Sequence, residues 1–170
     1  MSLKDAVISV IAFTRNRTLK LVEDLSDDQL ALSLAGPGGA KVNHPAWVLG
    51  HLLLSDYSFR QLVTGEPAPS WVDDAARTVY GNKSEPSSDK ARYKPKQFYI
   101  DKLLAVRAQI AARLQSMTEA EYGAPHPDPA RRERFPTVGH MITFYGTWHE
   151  AYHGGQLSTW RRALGLPPVA

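Results

Sequence analysis

Apolar and small positions recur along this chain with the spacing of helices. Between residues 3 and 25 they fall at Val7, Val10, Ile11, Thr14, Thr18, Leu21, Val22 and Leu25. That alternation of threes and fours puts one stripe of a helix inward. Ser26-Asp-Asp-Gln29 has the form of a capping box and predicts a short second start, before Gly-Pro-Gly-Gly at 36–39 breaks the chain. A second long helix is predicted from Asn43-His44-Pro45 to Gly65. Asn43 or His44 can cap it, and proline is tolerated in a first turn because its missing N–H would be unpaired there anyway. The connection over residues 65–96 holds Pro67, Pro69, Pro86 and Pro95, with a short helix predicted from Trp71 to Val79. A third long helix is predicted from Gln97 to Met117, its stripe being Tyr99, Leu103, Val106, Ile110, Leu114 and Met117. Thr118-Glu-Ala-Glu121 is another capping box, and Gly-Ala-Pro-His-Pro-Asp-Pro follows it. The fourth long helix is predicted from Thr137 to Leu164, stopped by Gly165 with Pro167 and Pro168 beyond. No alternating run is bounded by hairpin turns, so strands are not expected.

Four amphipathic helices of about 20 residues each make an all-α four-helix bundle. Residues 1–170 are expected to form it as one domain. The long connection between the second and third helices is unnecessary for antiparallel neighbours and long enough for a crossover that sets those two helices parallel. The two shorter joints suit antiparallel neighbours.

Composition narrows the function. Lys and Arg number 20 against 17 Asp and Glu, a net charge of +3, and the basic residues are spread out apart from Arg131-Arg132 and Arg161-Arg162. A nucleic-acid binder concentrates its charge in a stripe, so no nucleic-acid partner is expected. No apolar run approaches the roughly 18 residues of a membrane span. Lys4, Asp5, Arg15 and Arg17 interrupt the first segment, which therefore lacks the apolar core of a signal peptide, and a cytoplasmic location is expected. The chain has no cysteine, which removes disulfides, thiolate zinc sites and a cysteine nucleophile. The six histidines are the remaining candidates for chemistry.

His149 and His153 are four apart and project from one helix face. Val138, Ile142, Tyr145, Gln156 and Trp160 share that face and are mostly apolar, so it should point inward. Two imidazoles on one face can share a metal ion, and the third ligand should come from a facing helix. His51 is the best candidate, on a face with Trp47, Leu54, Ser55, Ser58 and Leu62. His44 reads as a cap or surface residue, His140 points to the opposite side of the fourth helix, and His126 lies in the proline-rich joint. A lone histidine on an apolar face is usually a core residue with one hydrogen bond, but three converging on one interior without a cysteine point to a metal. Trp47, Tyr145 and Gln156 are expected to line a mostly apolar pocket beside that metal and to contact the substrate.

His149-Glu-Ala-Tyr-His153 also matches the H-E-x-x-H of zinc peptidases, in which the glutamate activates water. The longer form of that motif wants a glycine at position 156 and a histidine at 159, where the chain has Gln156 and Thr159. No Asp or Glu occurs after Glu150 to serve as a later ligand. Glu150 lies about 100° around from His149 and is expected to be solvated or bonded to a neighbouring helix, not to act as a base.

Asn-His-Pro-Ala-Trp-Val-Leu-Gly-His-Leu-Leu at 43–53, Leu-Ser-Asp-Asp-Gln-Leu at 25–30, and the run from His149 to Pro168 carry a resemblance over nearly the full length. The chain resembles the DinB/YfiT-like family of metalloenzymes. The resemblance implies a four-helix bundle with a long crossover, and a divalent metal, zinc or nickel, held by His51, His149 and His153. It implies a thiol-dependent S-transferase or isomerase acting on small molecules, and a homodimer. With no cysteine in the chain, the low-molecular-weight thiol cosubstrate has to come from outside, as bacillithiol, mycothiol or glutathione. A metal-dependent hydrolase using the H-E-x-x-H segment and a non-enzymatic stress-response or scaffold bundle remain as alternatives. The sequence departs from relatives directly after His153, where Gly154 stands in place of a frequent arginine or alanine and gives the pair Gly154-Gly155. Close packing of another helix is the favoured reading of those glycines, and room for a ligand the other.

Overall fold

The computed structural model describes residues 2–39 and 41–169. They form α1 (Leu3–Glu23), α2 (Asp27–Leu30), α3 (Pro45–Thr64), α4 (Asp74–Tyr80), α5 (Lys96–Ser116), α6 (Glu119–Gly123), α7 (Val138–Thr143) and α8 (Glu150–Ala163). A π-helical segment, Phe144–His149, joins α7 to α8. Among the described residues no strand forms, only isolated bridges pairing Ala35 with Lys41 and Pro125 with Thr137.

Local chemistry sets most of these boundaries. Both capping boxes read from the sequence close reciprocally, Ser26 with Gln29 and Thr118 with Glu121, and each starts a short helix. His44 caps α3 by accepting the Trp47 N–H at 3.3 Å, while its other ring nitrogen donates to the Ser87 carbonyl at 3.0 Å. It is a cap but not a surface residue, because the loop after α4 covers it completely. Gly65, at φ 78°, ends α3 in the left-handed conformation that favours glycine. α4 begins at Asp74, three residues later than the pattern predicts. The Asp73 carboxylate takes the Ala76 N–H at 2.8 Å and so sets the start there.

Cross-helix bonds give the directions of the long helices. Asp56, Arg60 and Val63 of α3 meet Arg107, Gln109 and Arg113 of α5 in the same order, so these helices run parallel. Thr14 and Leu21 of α1 likewise meet Gly146 and Arg161. α1 and α5 run opposite ways, since Lys4 reaches the Met117 carbonyl and Lys96 reaches that of Glu23. α3 and α8 are also opposed, through Asn43 with Gln156 and His51 with His149. The long connection therefore does carry the chain into a parallel pair. The shorter joints do not join neighbours, however. α1 packs on α5 and α8, and α3 packs on the same two helices. The sequentially joined pairs, α1 with α3 and α5 with α8, lie across the ring, because joints that contain α2 and α6 are long enough to span a diagonal.

α3 is the most deeply buried rod, with 15 of its 20 residues buried. The α5 stripe from Tyr99 to Met117 is buried as its spacing predicts, whereas Val10 on α1 is 46% exposed. The fourth rod is helical throughout but not a uniform α-helix. The π segment adds a residue to one turn and ends on His149. Gly146 lets that segment lie against α1, where a Cβ would come within 2.4 Å of the Ile11 side chain.

Candidate metal centre

α3 contributes His51, the π segment ends on His149, and α8 contributes His153. One ligand atom from each lies within 4.8 Å of the other two. His51 Nε2 and His149 Nε2 are 3.2 Å apart. Two nitrogens bound at 2.0–2.1 Å to one tetrahedral ion would sit roughly 3.3 Å apart, so this edge already has the right length.

Protonation fits the same use. His51 Nδ1 donates to the Tyr80 carbonyl at 2.8 Å, leaving Nε2 as the bare nitrogen facing the other two rings. His153 Nδ1 donates to Gln156 Oε1 at 2.9 Å and leaves its Nε2 free in the same way. Burial, followed by the neighbouring His153 and His51, holds His149 down at about 3. Burial and then His51 hold His153 at about 4, and burial lowers His51 as well. All three are therefore neutral at pH 7 and offer lone pairs, the form a metal binds. Outer hydrogen bonds fix two of the three tautomers, as they do around metal-bound imidazoles. The donor set fits a divalent ion that accepts nitrogen ligands.

Trp47, Tyr145 and Gln156 all line the cavity into which the imidazoles face. Each also supports a different histidine. Trp47 stacks on His51 with centroids 4.9 Å apart and planes 4° from parallel, its own Nε1–H anchored on Ser84 Oγ at 2.9 Å. Tyr145 meets His149 edge-on at 5.6 Å. Gln156 accepts from His153, and from Asn43 at 3.2 Å. Gly50 is needed beside His51, since a Cβ there would lie 2.2 Å from the Tyr80 ring, and Tyr80 supplies the carbonyl that orients His51. The other three histidines are elsewhere. His44 caps α3, His126 is buried in the proline-rich joint beside Phe135, and His140 is exposed on α7, bonded to the Thr137 hydroxyl at 2.8 Å.

Glu150 takes no part in the cavity. Both of its oxygens accept from Arg107 Nη2 at 2.9 Å, and Arg107 Nε also donates to Asp56 Oδ2 at 2.7 Å. Arg15 Nη2 reaches the other Asp56 oxygen at 3.0 Å. Each long helix thus contributes one charge to a buried, neutral quartet that bridges both diagonals. Burial alone would raise Asp56, but Arg15 and Arg107 outweigh it and hold the carboxyl below its usual range. Periodicity did not reveal this quartet. The available signal was Asp56, five residues after His51 in an otherwise apolar stretch, and Arg15 and Arg107 beside buried stripe positions.

The cavity measures about 700 Å³ and is open to solvent. It is not the mostly apolar hollow expected from the helix faces. Arg77 from α4 and Arg131 and Arg134 from the proline-rich joint also line it. Helix patterning could not place these residues, because they arrive from connections whose course depends on the fold. Gly154 and Gly155 are not lining residues. A Cβ on Gly154 would make an ordinary 3.9 Å contact with Leu21, and one on Gly155 would meet nothing within 4 Å. Neither close packing nor ligand room requires them.

The family model of the DinB superfamily matches residues 11–157, a span that contains all three clustered histidines. No curated protein matches the chain. Among the described residues no helix is long and apolar enough to cross a membrane.

Proposed function

The chain belongs to the DinB superfamily, and from that premise we propose a metal-dependent enzyme that joins a low-molecular-weight thiol to a small electrophile, or uses the thiol to isomerise one. One observation carries this reading: three neutral imidazoles converge at the wall of an open cavity of about 700 Å³. His51, His149 and His153 would hold the ion, zinc or nickel. Three ligands leave a position open, the arrangement of catalytic rather than structural sites. A divalent ion there would lower the pKa of a coordinated thiol and supply a thiolate at neutral pH.

The chain's own residues do the rest. Tyr80, Trp47 and Gln156 fix the rings, so little reorganisation accompanies ligand binding. Tyr145 and Trp47 line the cavity beside the imidazoles, where an electrophile would be held against aromatic walls. The thiol sulfur forms its bond to the electrophilic carbon as the bond to the leaving group breaks, and the thiol proton passes to solvent. Glu150 is committed to Arg107, so the hydrolytic reading through the H-E-x-x-H segment has no base.

The test offers metal-loaded protein a chloroaromatic electrophile with bacillithiol, mycothiol and glutathione in turn. Thiol-dependent loss of chloride is the expected result. Failure with every thiol, together with an unchanged spectrum of the cobalt-substituted protein when thiol is added, overturns the proposal.

A further inference from the structure

The cavity carries a charge pattern that the metal reading leaves unexplained. Three arginines line it, Arg77, Arg131 and Arg134, and no Asp or Glu among the described residues does. The whole chain is near parity, 20 basic residues against 17 acidic, so this excess is local. Arg131 has Asp128 at 3.3 Å, but among the described residues neither Arg77 nor Arg134 is within ion-pair distance of any carboxylate. Arg134 is also held in place. Its guanidinium lies over the rings of Phe135 and Phe144, 5.0 and 4.8 Å from their centroids. Stacking of this kind leaves the in-plane N–H donors free for an anion.

An aromatic ladder flanks these cations. Phe144 stacks on Trp148 at 5.0 Å and Trp148 on Tyr152 at 5.3 Å, and all three rings line the cavity. Trp148 and Tyr152 are 56% and 53% exposed. Large apolar faces beside unpaired guanidiniums make one surface that is both flat and cationic. Imidazole donors bring no negative charge to a metal site, unlike carboxylates, so any divalent ion held there would keep its full charge and deepen the positive potential.

We propose that this pocket selects an aromatic carboxylate, its carboxyl group paired by Arg134 with Arg77 or Arg131 and its ring laid on the Trp148–Tyr152 ladder. The proposal rests on the reading above that the histidine-walled cavity is the substrate site, and it names the substrate class. A planar carboxylate matches the two parallel N–H donors of a guanidinium, and the ladder supplies the stacking surface that a simple inorganic anion could not use.

The test is direct binding to the full-length protein, read by quenching of tryptophan fluorescence and by calorimetry. Phenylacetate is compared with phenylacetamide, acetate and inorganic phosphate. Phenylacetate is expected to bind at least tenfold more tightly than each of the others and to weaken as salt is raised. Arg134→Gln, and Arg77→Gln combined with Arg131→Gln, should each weaken it about tenfold or more. Arg92→Gln, outside the cavity, should leave it unchanged. Equal binding of acid and amide, tighter binding of phosphate or acetate, no binding of phenylacetate in the millimolar range, or indifference to both arginine variants overturns the proposal. His51→Ala separates it from the metal reading. Arginine-dependent binding that persists in His51→Ala supports anion selection even if the metal reading fails. Binding that vanishes in His51→Ala yet ignores the arginine variants assigns the carboxylate to the metal and overturns the role given to the arginines.

Discussion

His149 and Glu150 are neighbours in the chain and serve different parts of the interior. The His149 imidazole meets His51 at 3.2 Å on the cavity wall, while both Glu150 oxygens accept from Arg107 at 2.9 Å inside the bundle. The roughly 100° between successive helical residues separates them, and the π segment that ends on His149 sets which of the two faces the cavity. An H-E-x-x-H spacing therefore serves a histidine cluster and a structural ion pair at once.

Removing the Glu150 carboxylate should accordingly damage stability rather than chemistry. Arg107 is buried at 6% exposure, and Glu150→Ala leaves it with Asp56 as its sole carboxylate, which Arg15 already shares. Breaking a buried pair by deleting one partner costs about 3–5 kcal/mol. Urea denaturation of Glu150→Ala should show a loss of that order, and the wild-type protein loaded with zinc should not hydrolyse casein. Peptide turnover abolished by Glu150→Gln would restore the peptidase reading.

Much of the fold was legible because amphipathic spacing reports burial directly. Leu103, Val106, Ile110 and Leu114 are buried where their spacing puts them, and the Ser26 and Thr118 boxes start helices where side-chain acceptors satisfy free N–H groups. His51, His149 and His153 come together because inward helical faces must meet. What periodicity could not supply was any contact made through a connection. Arg134 and Arg77 reach the cavity from segments without a repeating pattern, and Tyr80 orients His51 with a backbone carbonyl that no side-chain motif encodes. Arg15 and Arg107 break the inward apolar pattern, and their pairing depends on which helices share a diagonal.

Metal affinity should separate ligands from supports. His51→Ala, His149→Ala and His153→Ala each remove one of three donors and should abolish stoichiometric zinc or nickel binding in calorimetry. Gln156→Ala keeps the donors but removes the hydrogen-bond partner of His153, and should weaken binding by roughly 10–100-fold. Trp47→Ala takes away the ring stacked on His51 and should weaken it as well. His140→Ala, exposed on α7, should leave it unchanged. Full affinity in His51→Ala would show that the three rings do not share an ion.

The glycines give opposed expectations on neighbouring helices. Gly154 and Gly155 lie inside α8 with room for a methyl group, so Gly154→Ala and Gly155→Ala should each stabilise the protein, by up to about 1 kcal/mol. Gly50→Ala forces a methyl group into the Tyr80 ring and should cost about 1–3 kcal/mol. It should also weaken metal binding by moving the carbonyl that holds His51. Thermal melts of the three variants test the signs, and a destabilised Gly155→Ala would reveal a packing role that the open space around it does not predict.

The neutral imidazoles should make the metal-free protein acid-sensitive over a defined window. In the folded chain His149 titrates at about 3 and His153 at about 4, against about 6.5 for an unfolded histidine. Between those limits the unfolded state binds protons that the folded state refuses, so unfolding free energy rises with pH, by at most about 1.4 kcal/mol per pH unit for each such histidine. Their contribution to stability is complete above about pH 6.5 and is lost progressively as pH falls towards 4 and then 3. Asp56, whose carboxyl is lowered by Arg15 and Arg107, adds a similar loss only below the ordinary carboxylate range. Urea midpoints measured in chelator should therefore be nearly flat above neutrality and fall steadily from about pH 6.5 to about pH 4.5. His149→Gln removes one titrating group and should flatten that fall, whereas exposed His140→Gln should not. Saturating zinc should raise the midpoint most at pH 7 and lose its effect on acidification, because protons and the ion compete for the same lone pairs. A pH-independent midpoint in the metal-free wild type would mean that the folded imidazoles accept protons as readily as unfolded ones, which is incompatible with a buried cluster of bare nitrogens.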